Sequence, residues 1–108
     1  MATRHLLTRD KFIRWLRQRP QRWRARAGDG FRCPLALYLK AHNVRAACVH
    51  PVLGVWSRNW CGEGGQLPLW AARFGQNLDD MHNSYARSIR VSARDCLNIL
   101  AVREKGAA

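Results

Sequence analysis

Apolar residues recur at helical spacing in four stretches of this chain, and between those stretches the pattern alternates or breaks. Phe12, Ile13, Trp15 and Leu16 fall at the i, i+3, i+4 spacing of an amphipathic helix behind Thr8, a good N-cap, with Lys11, Arg14, Arg17 and Gln18 on the other face. Pro20 pushes the residue before it out of the helical region, so the first helix is predicted over 9–18. Residues 21–27 then alternate, Arg22, Arg24 and Arg26 against Trp23, Ala25 and Ala27, which is the period of an extended arm. Gly28-Asp29-Gly30 reads as a turn.

Pro34 suits the first position of a second helix, Pro34 to about His42, closed by Asn43 and burying Leu35, Ala36 and Leu39. Val44 to His50 and Leu53 to Trp56 are β-prone runs divided by Pro51 and Gly54, which predicts a small hairpin or two short strands. Residues 57–66, SRNWCGEGGQ, read as a glycine-rich loop. Pro68 opens a third helix with Trp70, Ala71, Phe74, Leu78 and Met81 on its apolar face; Asp79 and Asp80 near its end oppose the helix dipole unless they find a partner. Ile89 and Val91 suggest a short strand. Ser92 with Asp95 has the form of a capping box for a last helix over about 93–104, burying Ala93, Cys96, Leu97 and Leu100. The expected fold is α+β: a compact single domain over 1–108, of about four helices with a minimal two- to three-stranded sheet. Phe12, Leu16, Leu35, Leu39, Phe74, Leu78, Leu97 and Leu100 should share its core.

Composition adds a partner to this picture. The 108 residues carry a net charge of +12 with 47% hydrophobic residues, and sixteen of the nineteen cations are Arg. Ten cations lie in the first 32 positions against Asp10 and Asp29 alone, so +8 of the +12 sits there. Such a field attracts polyanions, and the guanidinium fork matches phosphate oxygens. The expected partner is the DNA or RNA backbone, bound non-specifically or with weak specificity. The candidate contacts are Lys11, Arg14, Arg17, Arg19, Arg22, Arg24, Arg26 and Arg58, with Trp60 as a stacking residue in a polar loop. Trp15 and Trp23 read as core. The competing reading is an interaction module or inhibitor that docks the same basic face, with Trp56, Trp60 and Tyr85 as anchors, on an acidic protein such as a nucleic-acid enzyme.

Other chemistry finds little footing. Cys48-x-His50 with Cys61 lacks the close ligand pairs of structural zinc sites, so no metal and no cofactor is expected. Cys33 stands where the second helix begins, a place that lowers a thiol pKa, yet it needs a base that spacing does not supply; a capping role is simpler. Cys61-Gly62-Glu63-Gly64-Gly65 lacks the Lys-Ser/Thr ending of a phosphate loop. Asp79 and Asp80 are adjacent and point differently on a helix, so a paired-carboxylate mechanism is not read here, and the protein is expected to be no enzyme. MATRHLLTRDKF has no continuous apolar stretch and no run reaches a membrane span, so a cytoplasmic location and no membrane partner are expected, with the four cysteines reduced.

The segments Cys33-Pro34-Leu35-Ala36-Leu37-Tyr38-Leu39, Leu67-Pro68-Leu69-Trp70-Ala71-Ala72-Arg73-Phe74 and Val91-Ser92-Ala93-Arg94-Asp95-Cys96-Leu97 give the chain a resemblance in order. It resembles small uncharacterised bacterial and mobile-element proteins with a CPLA-x-YL helix, an LP-x-WA-x-x-F helix and a capped C-terminal helix. That resemblance implies one fold and its segment boundaries and brings no activity. The arginines at 14–26 are not part of the shared pattern.

Overall fold

Thr8 caps the first helix as its side chain predicts, accepting from the Lys11 N–H, and α1 (Arg9–Arg17) buries Phe12, Trp15 and Leu16. The computed structural model describes residues 6–58, 63–82 and 89–107. After α1 the chain turns at Pro20, whose carbonyl accepts from the Trp23 N–H at 2.9 Å. The predicted arm is therefore a turn followed by a strand, β1 (Arg24–Ala27), with Ala25 and Ala27 buried.

Cys33 caps α2 (Pro34–Ala41). The helix closes through Asn43 in the left-handed region, with Asn43 N–H on the Lys40 carbonyl and Val44 N–H on that of Leu39. These paired bonds are those of a Schellman stop, and Val44 supplies its buried apolar residue. Residues 44–46 are therefore spent on ending α2, and β2 (Ala47–His50) starts three residues later than the β-prone run suggests.

A four-residue turn at 51–54 joins β2 to β3 (Val55–Arg58), which pairs in turn with β4 (Glu63–Gln66). The second strand is thus shifted forward from the predicted Leu53–Trp56, and the expected 57–66 loop is largely sheet. Close approach explains the misreading. A Cβ on Gly64 would stand 2.1 Å from the Trp56 carbonyl oxygen, and one on Gly65 would stand 3.2 Å from the Trp56 indole nitrogen. Glycine, a loop signal in isolation, is here what lets β4 lie against Trp56.

Pro68 accepts from the Ala71 and Ala72 N–H groups to open α3 (Leu69–His82). Of its predicted apolar face, Ala71, Phe74 and Leu78 are buried and Trp70 is partly so, while the Met81 side chain lies outside the described residues. The last strand, β5 (Ile89–Ser92), leads into α4 (Ala93–Ala107) through a reciprocal capping box: Asp95 N–H donates to Ser92 Oγ at 3.0 Å and Ser92 N–H to Asp95 Oδ2 at 2.9 Å.

The architecture is α+β: among the described residues there are four helices and two small antiparallel sheets of order β1-β5 and β2-β3-β4. One sheet was expected. A loop joins the two, because Gly30 offers its carbonyl to Val49 N–H at 2.8 Å while Arg32 offers its own to Arg26 N–H at 2.9 Å. That loop covers the outer edge of β1. Helices α1 and α3 pack on α4, and α2 on β2 and β1. Seven of the eight expected core residues are buried; Leu97 is partly so. Phe12 sits at the centre, edge-on to Tyr38 and Phe74 with ring centroids 5.3 and 5.2 Å away. Among the described residues no helix is long and apolar enough to cross a membrane.

Candidate nucleic-acid interface

Pairing of β1 with β5 decides how the arginines are presented. In this register Arg24 faces Ser92 and Arg26 faces Arg90, while the alternate pair, Ala25 with Val91, points inward and is buried. Residues directly opposite in an antiparallel pair share a face, so Arg24, Arg26 and Arg90 are neighbours on the outer side of this ribbon. Arg26 and Arg90 thus stand directly opposite each other in the ladder.

Where α1 ends and α4 begins, a groove of about 400 Å³ is lined by Arg17, Arg19, Arg24 and Arg94 over an apolar floor that includes Leu16 and Leu97. Two of these arginines are partly committed. Arg19 donates from Nε to the Trp15 carbonyl at 3.1 Å and lays its guanidinium over the Trp15 ring, 4.5 Å from the centroid. Arg24 places Nη1 between the carbonyls of Gln21 and Trp23, at 2.7 and 2.8 Å. The fork is thereby held against the turn with Nε and Nη2 left for another acceptor. Among the described residues, no hydrogen bond or ion pair within the chain takes up the side chains of Arg14, Arg17, Arg22, Arg90 or Arg94, all of them exposed.

Across α1 a second groove, about 350 Å³, brings Lys11, Arg14 and Gln18 together with Trp15, Tyr38 and His42. The structure thus divides the predicted contacts. Lys11 and Arg14 lie on one flank of α1, Arg17, Arg19 and Arg24 on the other, Arg22 on the exposed turn between α1 and β1, and Arg26 half-buried further along β1. Arg58 does not join them. It is half-buried in β3, opposite Glu63 in the register of the other sheet. Trp60 lies outside the described residues. Trp15 is buried and Trp23 packs edge-on against it at 5.5 Å, so both serve the core as the sequence suggests.

Arg90 and Arg94 were missed by sequence reasoning, since only the β1–β5 pairing brings them to the arm. One local signal pointed to Arg94: a cation in the first turn of a helix opposes the dipole and calls for a reason. Asp79 meets its need for a partner at a backbone group, accepting from the Gly28 N–H at 3.0 Å.

Cys33, Cys48 and Cys96 are free thiols, and Cys61 lies outside the described residues. Cys33 Sγ accepts from the Ala36 N–H at 3.4 Å, as a cap does. Burial pushes its thiol up to about 12, against the backbone N–H groups of Ala36 and Leu35 that pull it down and with the Asp79 charge adding to the rise. The helix start therefore does not activate this sulfur, because desolvation outweighs it. Burial also raises Cys48, helped by the Asp29 charge, and Cys96, helped by that of Asp95. An unfolded thiol ionises near 9.0, so between pH 9 and 12 the unfolded chain has lost the proton that folded Cys33 still holds. Stability from this source is whole below pH 9 and falls as pH rises through that window. The urea midpoint of the wild type is expected to drop more between pH 8 and 10 than that of Cys33→Ser; equal drops would show that burial of the sulfur is not what the titration feels.

Compared with family models, with curated proteins and with solved structures, the chain finds no match.

Proposed function

We propose that this protein binds the phosphate backbone of nucleic acid and acts without catalysis, as an accessory or regulatory factor. The observation that carries the reading is the β1–β5 pairing, which adds Arg90 and Arg94 to the cations of α1 and β1. Cations 64 or more residues apart in the chain thus converge on one side of the fold. Exposed guanidinium groups that no described carboxylate engages suit an anion with repeating charge, because each phosphate neutralised releases condensed counterions. The competing partner, an acidic protein, would be favoured by an apolar patch rimmed with arginine. Of the exposed large apolar residues described, Val52 and Leu53 lie on the β2–β3 turn and Trp56 is partly buried; Leu69 alone stands beside arginines, in a cleft with Arg9 and Arg73 that is separate from the Arg24 and Arg94 groove.

Binding to random duplex DNA, single-stranded DNA and RNA across a salt series tests the reading. If Arg17, Arg24, Arg90 and Arg94 each meet a phosphate of a duplex, the log–log slope is about −3.6, at roughly −0.9 per contact. A protein that fails to bind every polyanion at low salt is not a nucleic-acid binder, and the acidic protein partner then leads.

A further inference from the structure

Four guanidinium groups border a single groove: Arg17 at the end of α1, Arg19 just past it, Arg24 at the start of β1 and Arg94 in the first turn of α4. Two of them are set in place before any ligand arrives. Arg24 is held through Nη1 by the Gln21 and Trp23 carbonyls, and Arg19 through Nε by the Trp15 carbonyl. That leaves Nε and Nη2 of Arg24 and both Nη groups of Arg19 for an acceptor. A guanidinium fixed in this way gives up little freedom on binding. Arg17 and Arg94 are exposed, and they reach the groove from two different helices. Among the described residues no carboxylate lines it. Asp95, the acid nearest in sequence, accepts the Ser92 N–H at 2.9 Å within its cap. Four positive charges therefore surround about 400 Å³, a volume within the range of small-ligand clefts, about 300–1,000 Å³.

We propose that this groove takes the terminal phosphate of a nucleic-acid strand in preference to a phosphate within the strand. The proposal rests on the backbone-binding reading and adds the strand end to it. A phosphodiester inside a strand brings one negative charge and two free oxygens, with a sugar on either side. A terminal phosphate, a monoester, carries about −1.5 to −2 at pH 7 and presents three free oxygens. Guanidinium forks that converge from three segments of chain can meet those oxygens together, whereas a diester leaves most of the gathered charge unanswered. Arg90, opposite Arg26 on the ribbon, stands outside this groove, on the path of phosphates further along the strand.

The experiment compares fluorescein-labelled single strands at one salt concentration: one with a 5′-phosphate, one with a 3′-phosphate, one with hydroxyls at both ends, and a hydroxyl strand one nucleotide longer, which restores the lost charge inside the chain. A phosphorylated end is expected to bind roughly ten-fold tighter than either hydroxyl strand, the worth of about one hydrogen bond to a charged group. The 5′ and 3′ arms reveal which end is taken. Arg17→Gln and Arg94→Gln should each remove most of that ratio. Arg45→Gln, exposed and outside the groove, should lower every affinity slightly and keep the ratio. Unchanged circular dichroism confirms the fold of each variant. If phosphorylated and hydroxyl strands bind alike, if the longer hydroxyl strand matches the phosphorylated one, or if Arg17→Gln and Arg94→Gln weaken all strands in proportion, the end site is wrong while the backbone reading stands. Displacement by adenosine triphosphate at lower concentration than by unlabelled phosphorylated strand would make the ligand a free nucleotide and overturn the strand end. If no probe binds at low salt, both readings fall.

Discussion

Changing Arg24, Arg90 and Arg94 together to Gln is expected to reduce affinity for a random duplex on the order of 500-fold at 0.1 M salt. Without these three phosphate partners the log–log slope becomes shallower by about 2.7, and that difference acting over the decade between 0.1 and 1 M gives the factor. The effect should be equal for all sequences, because a backbone contact carries no base information. A control variant with Arg45→Gln and Arg73→Glu removes the same net charge at exposed positions off the β1–β5 ribbon and should weaken binding far less. If the two variants weaken alike, the protein binds through its overall charge and the ribbon has no special part. Arg24, Arg90 and Arg94 are exposed, so their replacement should leave the urea midpoint within the scatter of surface changes. Arg24→Glu alone should be worse than Arg24→Gln, since it places repulsion in the path of the phosphates.

Phe12→Ala should be the most damaging single truncation in the core. The ring is fully buried and meets Tyr38, Phe74, Trp70 and Trp15, with centroids between 5.2 and 6.3 Å away. Removing a buried Phe costs about 3–5 kcal/mol, a large share of the roughly 5–15 kcal/mol that holds a domain folded. The urea midpoint should fall by about 2 M for an m-value near 2 kcal/mol/M. Ile13→Ala, one position along and only partly buried, should cost a fraction of that. Equal costs would mean that α1 docks by another face, and the arginine positions derived from its seating would have to be redrawn.

Helix positions were legible in the sequence because each rests on neighbours in the chain. The Thr8 cap, Pro34 and Pro68 at helix starts, the stop at Asn43 and the Ser92–Asp95 box are each signals within a few residues of chain, and all four described helices formed close to where those signals stand. Strands were less legible, since a strand is defined by a partner that may be distant. Gly64 and Gly65 looked like loop until Trp56 was seen beside them. The strict alternation from Arg22 to Ala27 disclosed which side chains turn inward but not that Ile89–Ser92 is their partner. Part of the candidate interface was consequently invisible: Arg14, Arg17 and Arg24 could be named from their density, whereas Arg90 and Arg94 required the pairing. Arg58 was read as the neighbour of Trp60 in a polar loop and lies instead in β3 of the other sheet.

The β1–β5 ribbon also sets the order in which the molecule can be completed. Its paired residues are 62 to 68 positions apart, from Ala27 with Ile89 to Arg24 with Ser92. Contacts of that span must close a long loop before they return any stability, and they form late relative to helices and hairpins. During synthesis at about 5–20 residues per second, α1 and β1 precede β5 by several seconds. For that interval the arginine-rich segment exists as a loose basic peptide, without the strand that aligns it or the α4 residues that complete its groove. Any selectivity of the finished surface is therefore a property of the closed fold, acquired only when β5 pairs with β1.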